Sequence, residues 1–403
     1  MKKYIVVHAG RRDDYQVALS LAENQLLEKL VTDVYFPLDK PWFSNFFYLF
    51  SNSFEKRFKQ GLRSKYIYSS AHILFLSFLN MIKYDITRVK KIDNILGKIA
   101  SRLSKDKNLP IISMNSYAYY AFQNNTNLKI LFQFHPHPTF VKKILLEEIS
   151  SNPSAEKTIS EEHEFSVSET EMELLEKEIE YSDYCICASS ITKKSLVDAG
   201  FDEAKIFIAP YGVDTEKFPF YNREKLNNKK FRILFLGSLN QRKGITYLID
   251  AINQIENIEL VIVGRGIYDD SLLQNANFTV VNKKNIDHNE LLAEFERSDC
   301  FVLPSIIEGF GQVVLEAMST GLPVITTENT CGPDIIENGI DGFVIPIRDQ
   351  ESLRNSINLL KENKSYRLKM GKSAHIKAKQ YTWLRFRNNI NNILHNIEKN
   401  LTN

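Results

Sequence analysis

The chain has 403 residues, and at roughly 150 residues per domain this length predicts two or three domains, with two of about 200 residues fitting best. Its 51 Lys and Arg residues against 49 Asp and Glu leave a net charge of +2. This balance excludes the strong basic field of a dedicated nucleic-acid binder. A hydrophobic content of 43% with 25% charged residues excludes an intrinsically disordered chain.

Short β-branched or apolar runs alternate with helix-length amphipathic segments along the sequence. This pattern predicts a parallel α/β architecture rather than a sandwich or a helix bundle. A first series of candidate strands lies at 4–8, 31–36, 110–114, 129–134, 184–188 and 206–209. A second series lies at 231–237, 258–263, 278–281, 300–303 and 323–326.

A polar segment, 215–230, separates the two series of strands and contains Pro219, so we interpret it as an interdomain linker. The sequence therefore predicts two doubly wound, Rossmann-like domains, 1–214 and 215–380, that face each other across a cleft at the carboxyl ends of their strands. Apolar residues at helical spacing also predict an amphipathic helix over about 381–403.

Charge is unevenly distributed along the chain. Residues 40–107 contain 14 Lys and Arg, 4 Asp and Glu, and 13 aromatic residues. This segment could form a basic, aromatic face that rests on anionic lipid, or it could be helices of the first domain with solvated charges. Residues 151–180 contain 10 Glu and 2 Lys, which we interpret as a helix with a mobile loop rather than a binding tail.

The cysteines and the most apolar stretches indicate the cellular compartment of the protein. Cys185, Cys187, Cys300 and Cys331 lack the doubled C-x-x-C spacing of a zinc site, so we predict that they are packing residues in a reducing cytosol. The N-terminus lacks the apolar core of a signal peptide, and the stretch 72–82 is shorter than the ~20 residues that span a bilayer. We expect a cytoplasmic protein, at most associated with the inner face of the membrane.

Two glutamates and two glycines stand close together in PSIIEGFGQVVLEAMSTGLP, at 304–323. Gly309 and Gly311, at a strand-to-helix turn, let backbone N–H groups approach a ligand, and the helix N-terminus beyond them favours an anion such as a diphosphate. Glu308 and Glu316 can accept hydrogen bonds from two separate sets of hydroxyls. A nucleotide-sugar presents two such sets of hydroxyls, because it has a hexose at one end and a ribose at the other. The alternative is a glycine turn with incidental glutamates.

Two cations precede a helix in FLGSLNQRKG, at 235–244. Arg242 and Lys243 would neutralise a diphosphate there and stabilise the charge that develops on a leaving group. Two surface cations are the alternative interpretation. We expect the two cations to face the Glu308 loop, and this position favours a role in binding a diphosphate.

These stretches together resemble the family 4 retaining glycosyltransferases of GT-B fold. The family's signature elements match APYGVDTEKF at 209–218, GSLNQRKG at 237–244 and EGFGQVVLE at 308–316. SDYCICASSITKKSLVDAGF, at 182–201, also resembles the last βα unit of the family's first domain. The resemblance covers most of the chain from 178 to 346, and it implies a final helix that crosses back onto the first domain.

The resemblance also implies roles for individual residues. Arg242 and Lys243 would hold the donor diphosphate, and Glu316 would bind the ribose. His135, at the end of a strand, matches the family's histidine at the domain cleft. The donor sugar and its phosphate would be held by Glu308 and by the backbone of Gly309, Phe310 and Gly311.

Three positions depart from the family's pattern. Ser238 stands where many members have Arg, so that Arg242 would take over the cationic role. Gln312 replaces an apolar residue, which could alter the choice of donor. Asp334 stands where Glu is common, and its role is carried over only weakly.

The N-terminal half offers fewer matches. Gly10 follows the first strand, where relatives have a glycine-rich loop, but it is a lone glycine and could equally be a turn. Asp13 and its charged neighbours in RRDD could face an acceptor sugar or be solvated loop charges. In HPHP, at 135–138, two histidines could chelate a metal. No further ligand lies close by, so a proline-stiffened loop that aims His135 into the cleft is the preferred interpretation.

Together, these features predict a retaining glycosyltransferase that needs no essential metal and uses a nucleotide-diphosphate-sugar donor, UDP- or GDP-linked. Glu308, His135, Arg242 and Lys243 are the candidate catalytic residues. We expect a glycan or lipid-linked acceptor, cell-surface polysaccharide assembly, peripheral contact with anionic membrane and no nucleic-acid partner. The alternatives are a non-catalytic GT-B scaffold in a glycan-synthesis complex and another GT-B nucleotide-sugar enzyme.

Overall fold

The computed structural model describes residues 2–36, 57–226, 228–264, 270–274 and 276–402. The first sheet is built from β1 (Tyr4–Val7), β2 (Leu27–Val31), β3 (Ile67–Tyr68), β4 (Ile111–Met114), β5 (Lys129–Gln133), β6 (Tyr184–Cys187) and β7 (Ile206–Ile208). Its seven strands lie in the order β3-β2-β1-β4-β5-β6-β7 and pair in parallel. The strand order reverses its direction between β1 and β4, as in a doubly wound fold.

The second sheet is built from β8 (Phe231–Leu236), β9 (Ile258–Gly264), β10 (Thr279–Lys284), β11 (Cys300–Leu303), β12 (Val324–Thr327) and β13 (Phe343–Ile345). Its six strands lie in the order β10-β9-β8-β11-β12-β13, and all of their pairs are parallel. The strand order reverses between β8 and β11. Loops that follow these two strands therefore line the crevice where such sheets bind ligands.

Helices connect the parallel strands. In the first half they are α1 (Gln16–Glu23), α2 (Ala71–Ile82), α3 (Ile86–Lys107), α4 (Ala118–Phe122), α5 (Pro138–Ser151), α6 (Glu156–Ile159), α7 (His163–Ser166), α8 (Glu169–Glu180) and α9 (Ser190–Asp198). In the second half they are α10 (Ile245–Ile252), α11 (His288–Arg297), α12 (Gln312–Ser319), α13 (Gly332–Ile335), α14 (Gln350–Glu362), α15 (Lys364–Ala378) and α16 (Trp383–Thr402). The predicted pair of Rossmann-like domains is confirmed, whereas the boundary at 214 and 215 stays a prediction.

Most predicted strands coincide with observed ones, but the prediction at 31–36 is wrong. The strand is β2, which ends at Val31 although it contains the charged pair Glu28 and Lys29. The apolar run beyond it turns away at Asp33, whose carboxylate accepts a 2.8 Å hydrogen bond from the backbone N–H of Gly10. The short strands β3 and β13, of two and three residues, were not predicted.

The C-terminal helix crosses back onto the first domain, as predicted. α16 inserts its apolar face into the core of the first sheet, where Phe386 lies against Phe132 and Tyr211. Arg387 reinforces the contact, because its Nε donates to Glu23 of α1 at 2.7 Å. The helix therefore ties the end of the chain to the domain in which the chain begins.

Two chain crossings lie side by side between the domains. Val213 donates a 2.8 Å hydrogen bond to the carbonyl of Tyr381 and forms a parallel bridge with Thr382. A Cβ atom on Gly212 would lie 2.3 Å from the carbonyl carbon of Thr382, so only glycine permits this approach. Further along the predicted linker, Arg223 is buried and donates to the carbonyls of Phe295, Ser298 and Thr320, which fixes that segment to the second domain.

All four cysteines are buried and unpaired, as packing residues should be. Cys185 and Cys187 lie on β6, two residues apart and fully buried. Among the residues that the structure describes, no helix combines the length and the apolar character that crossing a membrane requires.

The packing of α16 gives a stability prediction. We expect Phe386→Ala to lower the free energy of unfolding by about 3–5 kcal/mol, because it removes a ring that is 1% exposed and leaves a cavity against Phe132 and Tyr211. Leu384 lies on the same helix and is 56% exposed, so Leu384→Ala should change the free energy of unfolding by less than about 0.5 kcal/mol. Urea unfolding measures both, and equal losses would contradict the placement of α16.

Candidate active site

The loop after β8 is held in a fixed shape by its own side chains and by the next loop. The Asn240 side chain accepts a 3.3 Å hydrogen bond from the backbone N–H of Lys243. Gly244 has φ +68, and a Cβ atom there would lie 1.9 Å from the carbonyl oxygen of Pro304. The carbonyl of Arg242 accepts from the backbone N–H of Ile306 at 2.8 Å. The loop 240–244, which we call the cationic loop, is therefore docked directly on the loop that carries Glu308.

Glu308 and Lys243 form an ion pair across this contact, with Nζ and Oε1 2.5 Å apart. The same carboxylate accepts from Ser305 Oγ at 3.1 Å, and the residue is 7% exposed. Burial alone would raise the pKa of Glu308, but Lys243 and Arg242 outweigh it and hold the pKa below its usual value. Glu308 is therefore ionised at neutral pH. The segment 304–323 and the cations of segment 235–244, both predicted as functional from the sequence, meet at this ion pair.

The glycine turn beside Glu308 lies against the first domain. The carbonyl oxygen of Gly309 accepts hydrogen bonds from the hydroxyls of Ser189 and Thr192. A Cβ atom on Gly309 would lie 2.5 Å from the carbonyl oxygen of Phe134, so this approach requires glycine. The turn therefore brings the second domain into close contact with the end of β5.

The turn ends where α12 begins. Gly311 has φ +84 and directly precedes α12, whose first N–H groups have no partner within the helix. These groups and the helix dipole together form a site that attracts anions. The Phe310 side chain is buried and packs on Tyr211 with ring centroids 5.2 Å apart, so only its backbone faces a ligand.

His135 lies at the opposite wall of the cleft, directly after β5. The residue as a whole is exposed at the cleft, and its Nδ1 lies 2.9 Å from the position that a Cβ atom on Gly309 would take. Desolvation by the surrounding protein and the nearby charge of Arg242 lower its pKa to about 4. His135 is therefore neutral at physiological pH and can donate or accept one hydrogen bond. His137 is buried and hydrogen-bonds to Thr139, so the HPHP turn directs only its first histidine into the cleft.

Glu316 lies further along α12 and lines a cavity of about 420 Å³ between the domains. Desolvation by burial raises its pKa to about 7. Asp13 of the first domain lines the same cavity, and burial raises its pKa to about 8. The neighbouring Gln312 donates to the carbonyl of Gly212 at 2.6 Å, so it anchors α12 to the interdomain crossing.

The remaining predicted residues make other contacts. Gly10 borders a second cavity, in the first domain, rather than the turn beside Glu308. Ser238 is half-buried in the strand-to-loop transition after β8. The Asp334 carboxylate accepts from the backbone N–H and the hydroxyl of Ser190, at 2.9 and 3.1 Å, so it caps α9 across the domain boundary.

The acidic segment has a role that its sequence did not reveal. It forms short helices, and Glu162 accepts hydrogen bonds from Asn240 at 2.7 Å and from Arg242 at 3.1 Å. Thr158 Oγ1 accepts from the backbone N–H of Gln241 at 3.1 Å. The first domain thus holds three consecutive residues of the cationic loop.

A buried carboxylate on α5 extends this contact. Glu148 is fully buried and accepts from Gln241, Tyr247 and Arg348 at 2.7, 2.9 and 2.7 Å. These partners are separated from it by about 90 to 200 positions, so no local motif could have indicated the network. Among the described residues, no group of three His, Cys, Asp or Glu side chains is arranged to hold a metal ion.

Comparison with known proteins shows what the second domain is similar to. Residues 214–377 match the family described as glycosyl transferases group 1. The Escherichia coli UDP-Gal:alpha-D-GlcNAc-diphosphoundecaprenol alpha-1,3-galactosyltransferase is 33% identical over 181 residues, which are 40% of this chain and 47% of that protein. The Staphylococcus aureus capsular polysaccharide biosynthesis glycosyltransferase CapM is 28% identical over 212 residues, 47% of this chain and 55% of that protein.

The structural similarity extends over both domains. The Anabaena protein HepE, in complex with UDP-glucose, superposes with a TM-score of 0.63 over 98% of this chain and 100% of that chain, at 14% identity. The chain spans about half the length of the curated relatives that it matches. The protein therefore has the GT-B fold, and residues 214–377, in its second domain, are similar to the glycosyl transferases group 1.

The contact between Glu162 and the cationic loop can be tested without a substrate. We expect Glu162→Ala to lower the free energy of unfolding by about 1–3 kcal/mol, because it leaves Arg242, 17% exposed, without its carboxylate partner. Amide hydrogen exchange should also accelerate at residues 240–244. The exposed neighbour provides the control, since Glu161→Ala should change stability by less than about 0.5 kcal/mol. Unchanged exchange in the loop would contradict the contact.

Proposed function

We propose that the protein is a retaining glycosyltransferase that moves a sugar from a nucleotide-diphosphate donor to a glycan or lipid-linked acceptor in cell-surface polysaccharide assembly. One observation carries the proposal. The Lys243–Glu308 ion pair lies at the glycine turn that leads into α12, with Arg242 beside it. Two cations and a helix N-terminus suit a diphosphate, and an ionised carboxylate beside them suits the hydroxyls of a sugar.

The donor is most simply a UDP-sugar, with a GDP-sugar as the second choice. The E. coli relative is named for UDP-Gal, and HepE was solved with UDP-glucose. In this protein Arg242 and Lys243 would hold the diphosphate, and Glu316 would accept hydrogen bonds from the ribose. In the structure Glu162 neutralises Arg242. The diphosphate would either bind the guanidinium together with this carboxylate or replace the carboxylate as its partner.

The proposed transfer keeps the anomeric configuration. The acceptor oxygen bonds to the anomeric carbon on the face from which the phosphate leaves, and the hydroxyl proton passes to the departing phosphate oxygen. Lys243 and Arg242 stabilise the charge on the leaving diphosphate, so a metal ion is not required for that step. Glu308 orients the donor sugar, and the neutral His135 hydrogen-bonds to the sugar at the opposite wall.

The first domain offers a surface suited to a lipid-linked acceptor and to membrane contact. α2 leaves Phe75 and Phe78 58% and 59% exposed, and Ile82 follows at 69%. Lys83 and Arg88 lie next to this apolar face in the chain. An exposed apolar helix face flanked by cations suits the surface of an anionic membrane. Residues 40–56 of the basic segment lie outside the described residues.

The donor assignment predicts a catalytic loss. We expect Glu308→Gln to reduce the release of nucleoside diphosphate about 10²- to 10³-fold, because Lys243 loses its partner and the donor sugar loses a charged acceptor. The assay measures nucleoside diphosphate from a panel of UDP-, GDP-, ADP- and CMP-activated sugars. Glu351→Gln, exposed on α14, should retain wild-type turnover. Full turnover by Glu308→Gln would refute the site assignment.

Membrane contact can be tested with vesicles. We expect the double substitution Phe75→Ser and Phe78→Ser to reduce flotation with vesicles of phosphatidylglycerol and phosphatidylcholine at least fivefold, since it removes the exposed apolar face. Ile376→Ser, at a residue 62% exposed on the second domain, is the matched control. Flotation that depends on neither α2 nor the basic residues between 56 and 107 would contradict the membrane contact.

A further inference from the structure

Carboxylates of the first domain lie beside the cations that are proposed to hold the donor diphosphate. Burial would lower the pKa of Arg242, but three nearby carboxylates outweigh it and raise that pKa. They belong to Glu308, Glu162 and Glu164. Glu308 follows β11 in the second domain, whereas Glu162 directly precedes α7 and Glu164 lies on that helix. The first domain therefore adds two acidic side chains to a site of the second domain.

The charges of this group do not balance. Arg242 and Lys243 face three carboxylates, of which Glu162 accepts a 3.1 Å hydrogen bond from Arg242. Desolvation nevertheless raises the pKa of Glu162 above its usual value, because the cations offset only part of the cost of its burial. Glu164 has a buried Oε2 that makes no hydrogen bond with any described residue. Two carboxylates that are costly to bury next to a cationic loop point to a role in ligand binding.

Glu162 is held in place beside the cationic loop. Its second oxygen, Oε1, accepts a 2.7 Å hydrogen bond from Asn240 of that loop. The surrounding segment is anchored as well, because Thr158 and the fully buried Glu148 both hold Gln241. A diphosphate that binds to the cationic loop would therefore lie next to a fixed negative charge.

The ligands of a sugar-transfer reaction differ in the charge that they bring to this loop. Both phosphates of a nucleotide-sugar are esterified, so each carries about one negative charge. A free nucleoside diphosphate ends in a phosphate monoester, whose second pKa of about 6 adds nearly one further negative charge at neutral pH. A fixed carboxylate therefore repels the free nucleoside diphosphate more strongly than it repels the nucleotide-sugar.

We propose that Glu162 and Glu164 shift the preference of the donor site from the nucleoside diphosphate towards the nucleotide-sugar, and so promote release of the diphosphate product. This inference rests on the proposed function, because it concerns the ligands of the cationic loop. The two glutamates act through their charge on the diphosphate and on Arg242, and they take no part in the chemical step. They are specificity-determining residues of the donor site.

The test compares ligands of different charge in the full-length protein. The probes are UDP and GDP, their methyl esters on the terminal phosphate, UDP-galactose and GDP-mannose. Each methyl ester has the charge of a nucleotide-sugar but no sugar, so it separates the effect of charge from that of sugar contacts. Calorimetry at about pH 8, where the terminal phosphate is fully ionised, gives each Kd. The variants are Glu162→Gln, Glu164→Gln and the double substitution, with Glu161→Gln at the exposed neighbour as the control.

We expect Glu162→Gln to tighten the Kd of the nucleoside diphosphate roughly 10- to 30-fold, and those of its methyl ester and the nucleotide-sugar roughly 3- to 10-fold, because the repulsion scales with ligand charge. Glu164→Gln should act in the same direction, and the double variant should exceed both. Dissociation of the nucleoside diphosphate, followed by stopped flow, should slow in step with its Kd. Glu161→Gln should leave every Kd unchanged.

Glu164→Gln keeps the test decisive if Glu162→Gln loosens the loop, since the Oε2 of Glu164 has no hydrogen bond to a described residue to lose. Weaker binding of the nucleotides by both single variants would assign the two glutamates a structural role and overturn the inference. An equal change for the nucleoside diphosphate and its methyl ester would also overturn it, because discrimination by charge would be absent.

The remaining outcomes separate this inference from the proposed function. Nucleotide binding that neither substitution changes would overturn the role of Glu162 and Glu164 and leave the proposed function standing. A wild-type protein that binds none of the nucleotides would refute the proposed function and this inference together.

Discussion

The ion pair between Lys243 and Glu308 is the interaction on which the cleft depends. It joins the loop after β8 to the loop after β11, the two strands between which the order of the second sheet reverses. The carboxylate stays ionised although it is 7% exposed, because Lys243 and Arg242 offset the cost of its burial. The site therefore holds its charges in place before any ligand arrives, which would avoid reorganisation when the proposed donor binds.

The first domain also contributes side chains that hold the two loops of this site in place. Ser189 and Thr192 hold the carbonyl oxygen of Gly309, and Glu162 holds Arg242. The cationic loop is therefore shaped by contacts from both domains. A change in the relative position of the domains would alter the partners of Arg242, so the proposed donor binding would be physically linked to the domain arrangement. The helix α16 and the crossing at Val213 limit how far the domains can separate.

Much of this organisation is predictable from the sequence, because strands of a parallel sheet appear as apolar runs and the two loops proposed to bind the donor carry their chemistry in contiguous residues. Glu308 and Lys243 were identified in this way. The network of Glu148 and Glu162 was not, since each of the partners Gln241 and Asn240 lies at least 78 positions away and other glutamates stand close to both residues in the sequence.

The central claim is that the glycine turn before α12, together with Lys243, binds the diphosphate of a sugar nucleotide. A crystal structure of the protein with UDP or GDP bound tests it most directly. The account predicts that diphosphate oxygens lie within hydrogen-bond distance of Lys243 Nζ and of a backbone N–H at Gly311 or Gln312, with the ribose hydroxyls at Glu316. A nucleotide bound elsewhere, or one whose diphosphate makes no contact with Lys243 or this turn, would contradict it.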